Sequence, residues 1–310
     1  CDVHQISAEK GTHSITASSD CKYFVDVFSS LESPPVVSLH SADFTKMHTI
    51  FKSNDGRVSD FGLIAPKIVQ FTNREGVAIY GNIYEPSKEK YGNGPYPTVV
   101  YVYGGPGPQI VRNTWGCTAN LKLQFLRNKG FLVFTMDNQG SARRGMEFEG
   151  KIKHSMGTIE VDDQVDGVHW LISQKLTNPS RVGITGWSYG GYMTLLSLMK
   201  APEVFKVGVS GAPVTFWECY DTAYTERYMG TPESNPEGYK KGSVLECVQG
   251  LEGKLLIIHG MLDENVLFRH TACLINKLNR CRKDYETLFF PDERHMPRLH
   301  QDRIFLNYRL

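Results

Sequence analysis

From residue 98 onward, short apolar runs rich in β-branched residues alternate with amphipathic stretches, and this alternation restricts the fold more than any other feature. TVVYVYG (98–104), FLVFTMD (131–137), RVGITG (181–186), KVGVSGA (206–212), KLLIIHG (254–260) and YETLFF (285–290) read as strands. A strand that is apolar on both faces must be covered on both, and a mainly parallel sheet flanked by helices does this. Between the runs, VDDQVDGVHWLISQKL (161–176) sets Val161, Val165, Val168 and Leu171 or Ile172 at helical spacing, so these side chains are expected to face the sheet. In such α/β sheets functional groups gather at the carboxyl ends of the strands, and the loops there are where chemistry is to be sought.

The first 60 residues follow another pattern. SITASS, KYFVDVFSS and PPVVSLHS read as short strands separated by the turn signals SSD and LESPP. Three such strands cannot bury both faces of a sheet. Residues 1–60 are therefore expected to be the end of a β-domain whose remainder lies outside this sequence, and residues 61–310 to form the α/β domain. A start at Cys1 rather than Met fits the same expectation of a longer polypeptide. Just after the boundary, KIVQFTN and VAIYGNIYEP are predicted to pair as a hairpin about NREG.

Charge and composition narrow the function. Lys and Arg together number 34 against 33 acidic residues, so no basic field is available to hold nucleic acid or an anionic membrane by charge. No apolar run approaches the ~20 residues that cross a bilayer. The 7 cysteines are scattered and never spaced Cys-x-x-Cys, which predicts reduced thiols rather than a zinc site or a disulfide framework. Nothing calls for a metal or a cofactor.

The segment RVGITGWSYGGYMTLLSLM contains Gly186-Trp187-Ser188-Tyr189-Gly190, a G-x-S-x-G sequence. On its own this pattern is weak, but here it follows a strand and opens a helix, which is the setting of a nucleophile elbow. Glycines at 186, 190 and 191 suit a turn that holds its serine in a strained backbone. A serine hydroxyl needs a base to take its proton and a carboxylate to orient that base. With the order Ser, acid, His along the chain, the loop after KLLIIHG offers Asp263 and Glu264, and the loop after YETLFF offers His295 and His300. Asp263 is favoured as the residue nearer the strand end, with Glu264 as the alternative. His295 lies in a loop bounded by Pro291 and Pro297, whereas His300 falls in a helical pattern and His259 ends a strand, where a buried imidazole is expected.

GWSYGGY, HGMLDENV, DERH, VYVYGGPGPQ (100–109) and APVTFWECYDTAYTERYMG (212–230) together resemble the catalytic domain of the dipeptidyl peptidase IV family, within the prolyl oligopeptidase clan of serine peptidases. The pairing of YGGP with LDENV and ERH is most similar to its cytosolic branch, that of dipeptidyl peptidases eight and nine. The resemblance covers roughly residues 60–310, with the preceding residues similar to the last strands of a β-propeller. It implies an α/β-hydrolase fold, a triad of Ser188, Asp263 and His295, and an oxyanion hole of the Tyr103 hydroxyl and the Tyr189 backbone N–H. It further implies a small apolar pocket of Val214, Trp217, Tyr220, Tyr224, Tyr189 and Val266 that takes a proline or alanine side chain, with the Asn265 amide donating to a substrate carbonyl.

The activity so implied is release of amino-terminal dipeptides with Pro or Ala second, through an acyl-enzyme, by a cytoplasmic enzyme without a cofactor. The resemblance also implies a homodimer formed partly through RLHQDRIFLNYRL, although packing of Ile304, Phe305, Leu306 and Tyr308 on their own domain is an equal alternative. Glu226 and Arg227 are expected to form a structural ion pair. Two departures stand out. DNQGSARRG has Gln139 where the family commonly has Arg, so Arg143 or Arg144 is expected to brace that loop, and the propeller's acidic pair, which captures the substrate amino terminus in the family, has no counterpart here. The isolated chain is therefore expected to be weakly active. An oligopeptidase, acylaminoacyl peptidase or esterase with the same triad, and a catalytically silent interaction protein, are the competing readings.

Overall fold

The computed structural model describes residues 4–53 and 56–309, which leaves Cys1 outside the described residues. Among the described residues there are two sheets. Strands β1 (Thr12–Ala17), β2 (Tyr23–Ser29), β3 (Val36–Ser41) and β4 (Lys46–Lys52) form an antiparallel meander in sequential order. The first three match the predicted segments. The fourth, KMHTIFK, was not anticipated, because it is exposed at every position and so shows no alternation of buried and exposed residues.

The second sheet has eight strands: β5 (Lys67–Thr72), β6 (Ala78–Tyr84), β7 (Tyr96–Val102), β8 (Leu132–Asp137), β9 (Thr177–Trp187), β10 (Val207–Gly211), β11 (Lys254–Gly260) and β12 (Glu286–Phe290). Their spatial order is β12-β11-β10-β9-β7-β8-β6-β5. From β8 to β12 every pairing is parallel, while β6 runs antiparallel to both β5 and β8. This order, with one reversed strand near one end and the direction of travel switching between β7 and β9, is that of an α/β hydrolase.

Local chemistry explains the elements. The β5–β6 hairpin turns where predicted because the Asn73 side-chain oxygen accepts the backbone N–H groups of Glu75 (3.0 Å) and Val77 (2.8 Å), an Asx turn completed by Gly76 at φ +81°. The amphipathic stretch forms the helix Ile159–Ser173, with Val161, Val165, Val168 and Leu171 buried as its spacing requires. The helix Tyr189–Lys200 is apolar on all sides and is buried along its length except at Lys200, which places the main core between it, β9 and β10. β8 is buried at all six positions, as a strand covered on both faces must be.

Candidate active site

Four loops leave the carboxyl ends of β7, β9, β11 and β12 and carry Tyr103, Ser188, Asp263 and His295 respectively. Ser188 is the single residue between β9 and the helix that starts at Tyr189, with φ +61° and ψ −118°, a region that L-residues rarely adopt. The turn is pinned by its own backbone: Ser188 N–H donates to the Gly211 carbonyl (2.9 Å), and the Ser188 carbonyl accepts Tyr192 N–H (3.0 Å). Neighbouring chain approaches so closely that a Cβ at Gly186 or Gly190 would collide with the Val102 carbonyl, and one at Gly191 with the Gly211 carbonyl. The glycines thus admit the crossing of β7 and β10 over the turn.

Asp263 is buried, and His295 Nδ1 lies 2.7 Å from its Oδ2. Its Oδ1 accepts the backbone N–H groups of Asn265 and Val266, each at 2.9 Å. Burial alone would raise this carboxyl, but the hydrogen bonds from His259 and His295, with the Asn265 N–H, outweigh it and hold the group well below the usual carboxylate range. Asp263 is therefore an anion that can only accept, so His295 Nδ1 carries a proton and the neutral ring keeps Nε2 free as a base. The His295 loop is tied to the elbow by the Trp187 indole N–H, which donates to the His295 carbonyl at 2.7 Å. Buried Glu293 closes the same loop by accepting the N–H groups of Arg298 (2.8 Å) and Leu299 (2.7 Å). Among the described residues no hydrogen bond joins Ser188 Oγ to the His295 ring; in unliganded sites this bond is commonly long and tightens around substrate.

The alternatives lie elsewhere. Glu264 is exposed and pairs with Arg294 at 3.1 Å, and His300 is an exposed first residue of the helix His300–Arg309. His259 is fully buried and hydrogen-bonded, as expected of it, but its partner is Asp263 itself.

Beside Ser188 the aromatic residues form a continuous cluster. Ring centroids run from Tyr103 to Tyr189 (6.0 Å), from Tyr189 to Trp217 (5.7 Å), from Trp217 to Tyr220 (6.0 Å) and Tyr224 (6.1 Å), and from Tyr220 to Tyr224 (5.4 Å, edge to face). Val214 and Val266 are buried in the same core. The Tyr220 hydroxyl donates to Asn265 Oδ1 at 2.7 Å, so the Asn265 amide nitrogen remains able to donate. Tyr189, as the first residue of its helix, has no intrahelical acceptor for its backbone N–H. Its hydroxyl is committed to Glu160 at 2.7 Å, a fully buried carboxylate that also accepts Gly157 N–H (2.9 Å) and Thr158 N–H (3.0 Å). Sequence reasoning missed Glu160; its only signal was an acidic residue in the first turn of a helix, which many surface positions share.

The chain matches the family model described as the prolyl oligopeptidase family over residues 117–309. It belongs to that family. Dipeptidyl peptidase 8 of Mus musculus is 40% identical to it, over 96% of this chain and 34% of the relative. Among solved structures, a putative dipeptidyl aminopeptidase IV from Bacteroides ovatus superposes with a TM-score of 0.90 at 33% identity, covering 97% of this chain and 42% of that one. Porphyromonas gingivalis dipeptidyl peptidase 4 gives 0.88 at 29% identity, over 98% and 43%. The chain thus spans about a third of the length of the curated prolyl oligopeptidase family relatives that it matches.

One expectation needs correction. Glu226 and Arg227 form no ion pair among the described residues; as consecutive residues of the helix Thr222–Met229 they point in different directions. Gln139 is buried and its backbone N–H donates to buried Asp163 at 2.8 Å, while Asn73 Nδ2 donates to the other oxygen of that carboxylate at 2.7 Å. Arg144 braces this region, as one of the two alternatives anticipated, by donating to the Ala78 carbonyl at 2.6 Å and stacking over Phe148 at 4.1 Å. A cavity of about 800 Å³ lies on another part of the sheet, bordered by Val99, Phe125, Arg181 and Tyr308, and none of the candidate residues lines it.

Proposed function

We propose that this chain is the catalytic part of a serine peptidase that releases amino-terminal dipeptides with Pro or Ala in second place, through an acyl-enzyme. Ser188 Oγ attacks the scissile carbonyl carbon while His295 Nε2 takes its proton, and ionised Asp263 stabilises the imidazolium that results. The alkoxide is held by the Tyr103 hydroxyl and the Tyr189 backbone N–H, each such donor being worth roughly 10²–10³ in rate. His295 returns the proton to the leaving amine, and water, deprotonated by the same imidazole, then frees the dipeptide from Ser188. A flat pyrrolidine fits against the faces of Tyr189, Trp217, Tyr220 and Tyr224 without any polar demand, and larger side chains would be overpacked there. The Asn265 amide, its oxygen already occupied by Tyr220, donates to a substrate carbonyl.

The observation that carries this reading is the elbow: a non-glycine residue at φ +61°, followed by a helix and tied through Trp187 to the loop of a histidine that rests on a buried carboxylate. Residues 1–60 are assigned to a propeller, the remainder to the catalytic domain. The exposed Met47, Ile50 and Phe51 of edge strand β4 support that assignment, since an unpaired apolar edge calls for a neighbour. Assembly as a homodimer and a cytoplasmic setting belong to the same proposal and rest on the resemblance to the cytosolic branch.

Chromogenic Gly-Pro and Ala-Pro substrates, compared with amino-blocked Pro substrates and simple esters, test the specificity. Cleavage of the free-amine pair, abolished by Ser188→Ala, is the expected result. Turnover of blocked substrates or esters alone would replace the dipeptidyl reading with an oligopeptidase or esterase. Failure of a fluorophosphonate to label Ser188 in the full-length protein would favour a silent interaction protein.

A further inference from the structure

His259 closes β11 four residues before Asp263 and has no solvent exposure. Its Nε2 lies 3.1 Å from Asp263 Oδ2 and 2.9 Å from the Val266 carbonyl oxygen, and its Nδ1 lies 2.7 Å from Thr271 Oγ1. A carbonyl can only accept, so Nε2 must carry a proton. Asp263 Oδ2 therefore faces two imidazole N–H groups, that of His295 Nδ1 and that of His259 Nε2, the latter shared with the Val266 carbonyl, while Oδ1 is filled by two backbone N–H groups. Thr271 Oγ1 engages Nδ1, so both ring nitrogens have partners and the ring is fixed in place.

We propose that His259 is a positioning residue for the reaction: it holds Asp263 Oδ2 in line with His295 Nδ1 and shares the carboxylate charge that His295 would otherwise face alone. The inference rests on the hydrolytic reading of Ser188, Asp263 and His295. The titratable or charged groups around this pair are Asp263 and exposed Glu264 on the loop after β11, His270 on the helix Arg269–Arg280, Arg294 and His295 on the loop after β12, and Tyr220. Among the described residues, His259 and His295 are the side chains that donate a hydrogen bond to Asp263. Without His259 a larger share of the negative charge falls to His295, which favours the imidazolium and moves the acid limb of the rate profile to higher pH.

The experiment is the pH dependence, from 5 to 9, of fluorophosphonate labelling of Ser188 in the full chain and in its His259→Leu, His259→Gln and Thr271→Val variants. Glutamine can place an amide N–H where imidazole Nε2 stood, whereas leucine cannot. His259→Leu is expected to label roughly tenfold more slowly at pH 6, with the acid midpoint raised by about one unit, and His259→Gln to recover most of both. The downfield proton resonance of His295 Nδ1–H should move in the leucine variant and stay near its wild-type position in the glutamine variant. If leucine unfolds the chain, Thr271→Val should shift the midpoint in the same direction by a smaller amount. Equal losses in leucine and glutamine with an unmoved midpoint, or an unmoved midpoint in Thr271→Val, overturn the inference alone. A full-length wild-type protein that never labels removes the hydrolytic reading along with it.

Discussion

Asp263 concentrates the electrostatics of the site in one side chain. Four N–H groups converge on its two oxygens, so its charge is matched even though solvent is excluded. Asp263→Asn preserves the shape but replaces an acceptor with an amide that opposes at least one of those donors, and it removes the anion that sets the His295 tautomer. Labelling or turnover should fall roughly 10³–10⁴-fold, measurable in the same fluorophosphonate assay. The carboxyl is held below its ordinary value in the folded chain. Its contribution to stability is therefore complete above about pH 4, the unfolded value, and is lost as pH falls through the lower folded value. Wild type should lose stability faster than Asp263→Asn as urea midpoints are followed downward from pH 4.

At the scale of elements, the sheet ends are braced by residues that do no chemistry. Asp137, the buried last residue of β8, accepts Ile110 N–H at 2.8 Å and Val111 N–H at 2.9 Å, and so shapes the loop that follows Tyr103. Burial pushes its carboxyl up to about 6 in spite of those donors. A raised folded value means that the folded chain binds this proton more tightly. The group's stabilising contribution is thus greatest below about pH 4 and declines as pH rises through 6. Asp137→Asn should be less stable than wild type at pH 4.5, with a deficit that shrinks by pH 7; a deficit that is constant or grows over that interval contradicts the assignment. Asp137 was not legible in the sequence, and neither was Glu160, because an acid inside an element looks the same whether water or a folded neighbour surrounds it. The central strands such as β8 were legible because burial on both faces leaves an unbroken apolar run, and Ser188, Asp263 and His295 were singled out by the G-x-S-x-G turn, strand-end position and chain order. The spatial order of the strands and the second imidazole on Asp263 were not, since both depend on crossovers that bring together segments remote in sequence.

For the whole molecule, the question is how a four-stranded meander with two uncovered edges stays on the hydrolase sheet. Asn113, in the segment before the short helix Trp115–Thr118, supplies much of the join. Its Oδ1 accepts Leu31 N–H at 2.9 Å, its Nδ2 donates to the Lys10 carbonyl at 3.3 Å, and its own carbonyl accepts the Thr12 hydroxyl at 2.9 Å. Thr114 Oγ1 and Ser29 Oγ share a hydrogen bond at 2.9 Å, and Thr118 donates to the Leu31 carbonyl at 2.6 Å. These hydrogen bonds give the junction a fixed direction. Asn113→Ala removes both side-chain bonds and leaves the Leu31 N–H without its acceptor, a loss of about 1–3 kcal/mol. Because β1 to β4 pair among themselves and not with β5 to β12, that loss should appear as local opening of one sheet and not as global unfolding. Amide hydrogen exchange followed by mass spectrometry should show faster exchange across residues 12–52 with unchanged protection in β8 and β9. Uniform acceleration through both sheets would mean that the meander and the hydrolase sheet unfold as one cooperative unit, and that the Asn113 join does not separate their stabilities.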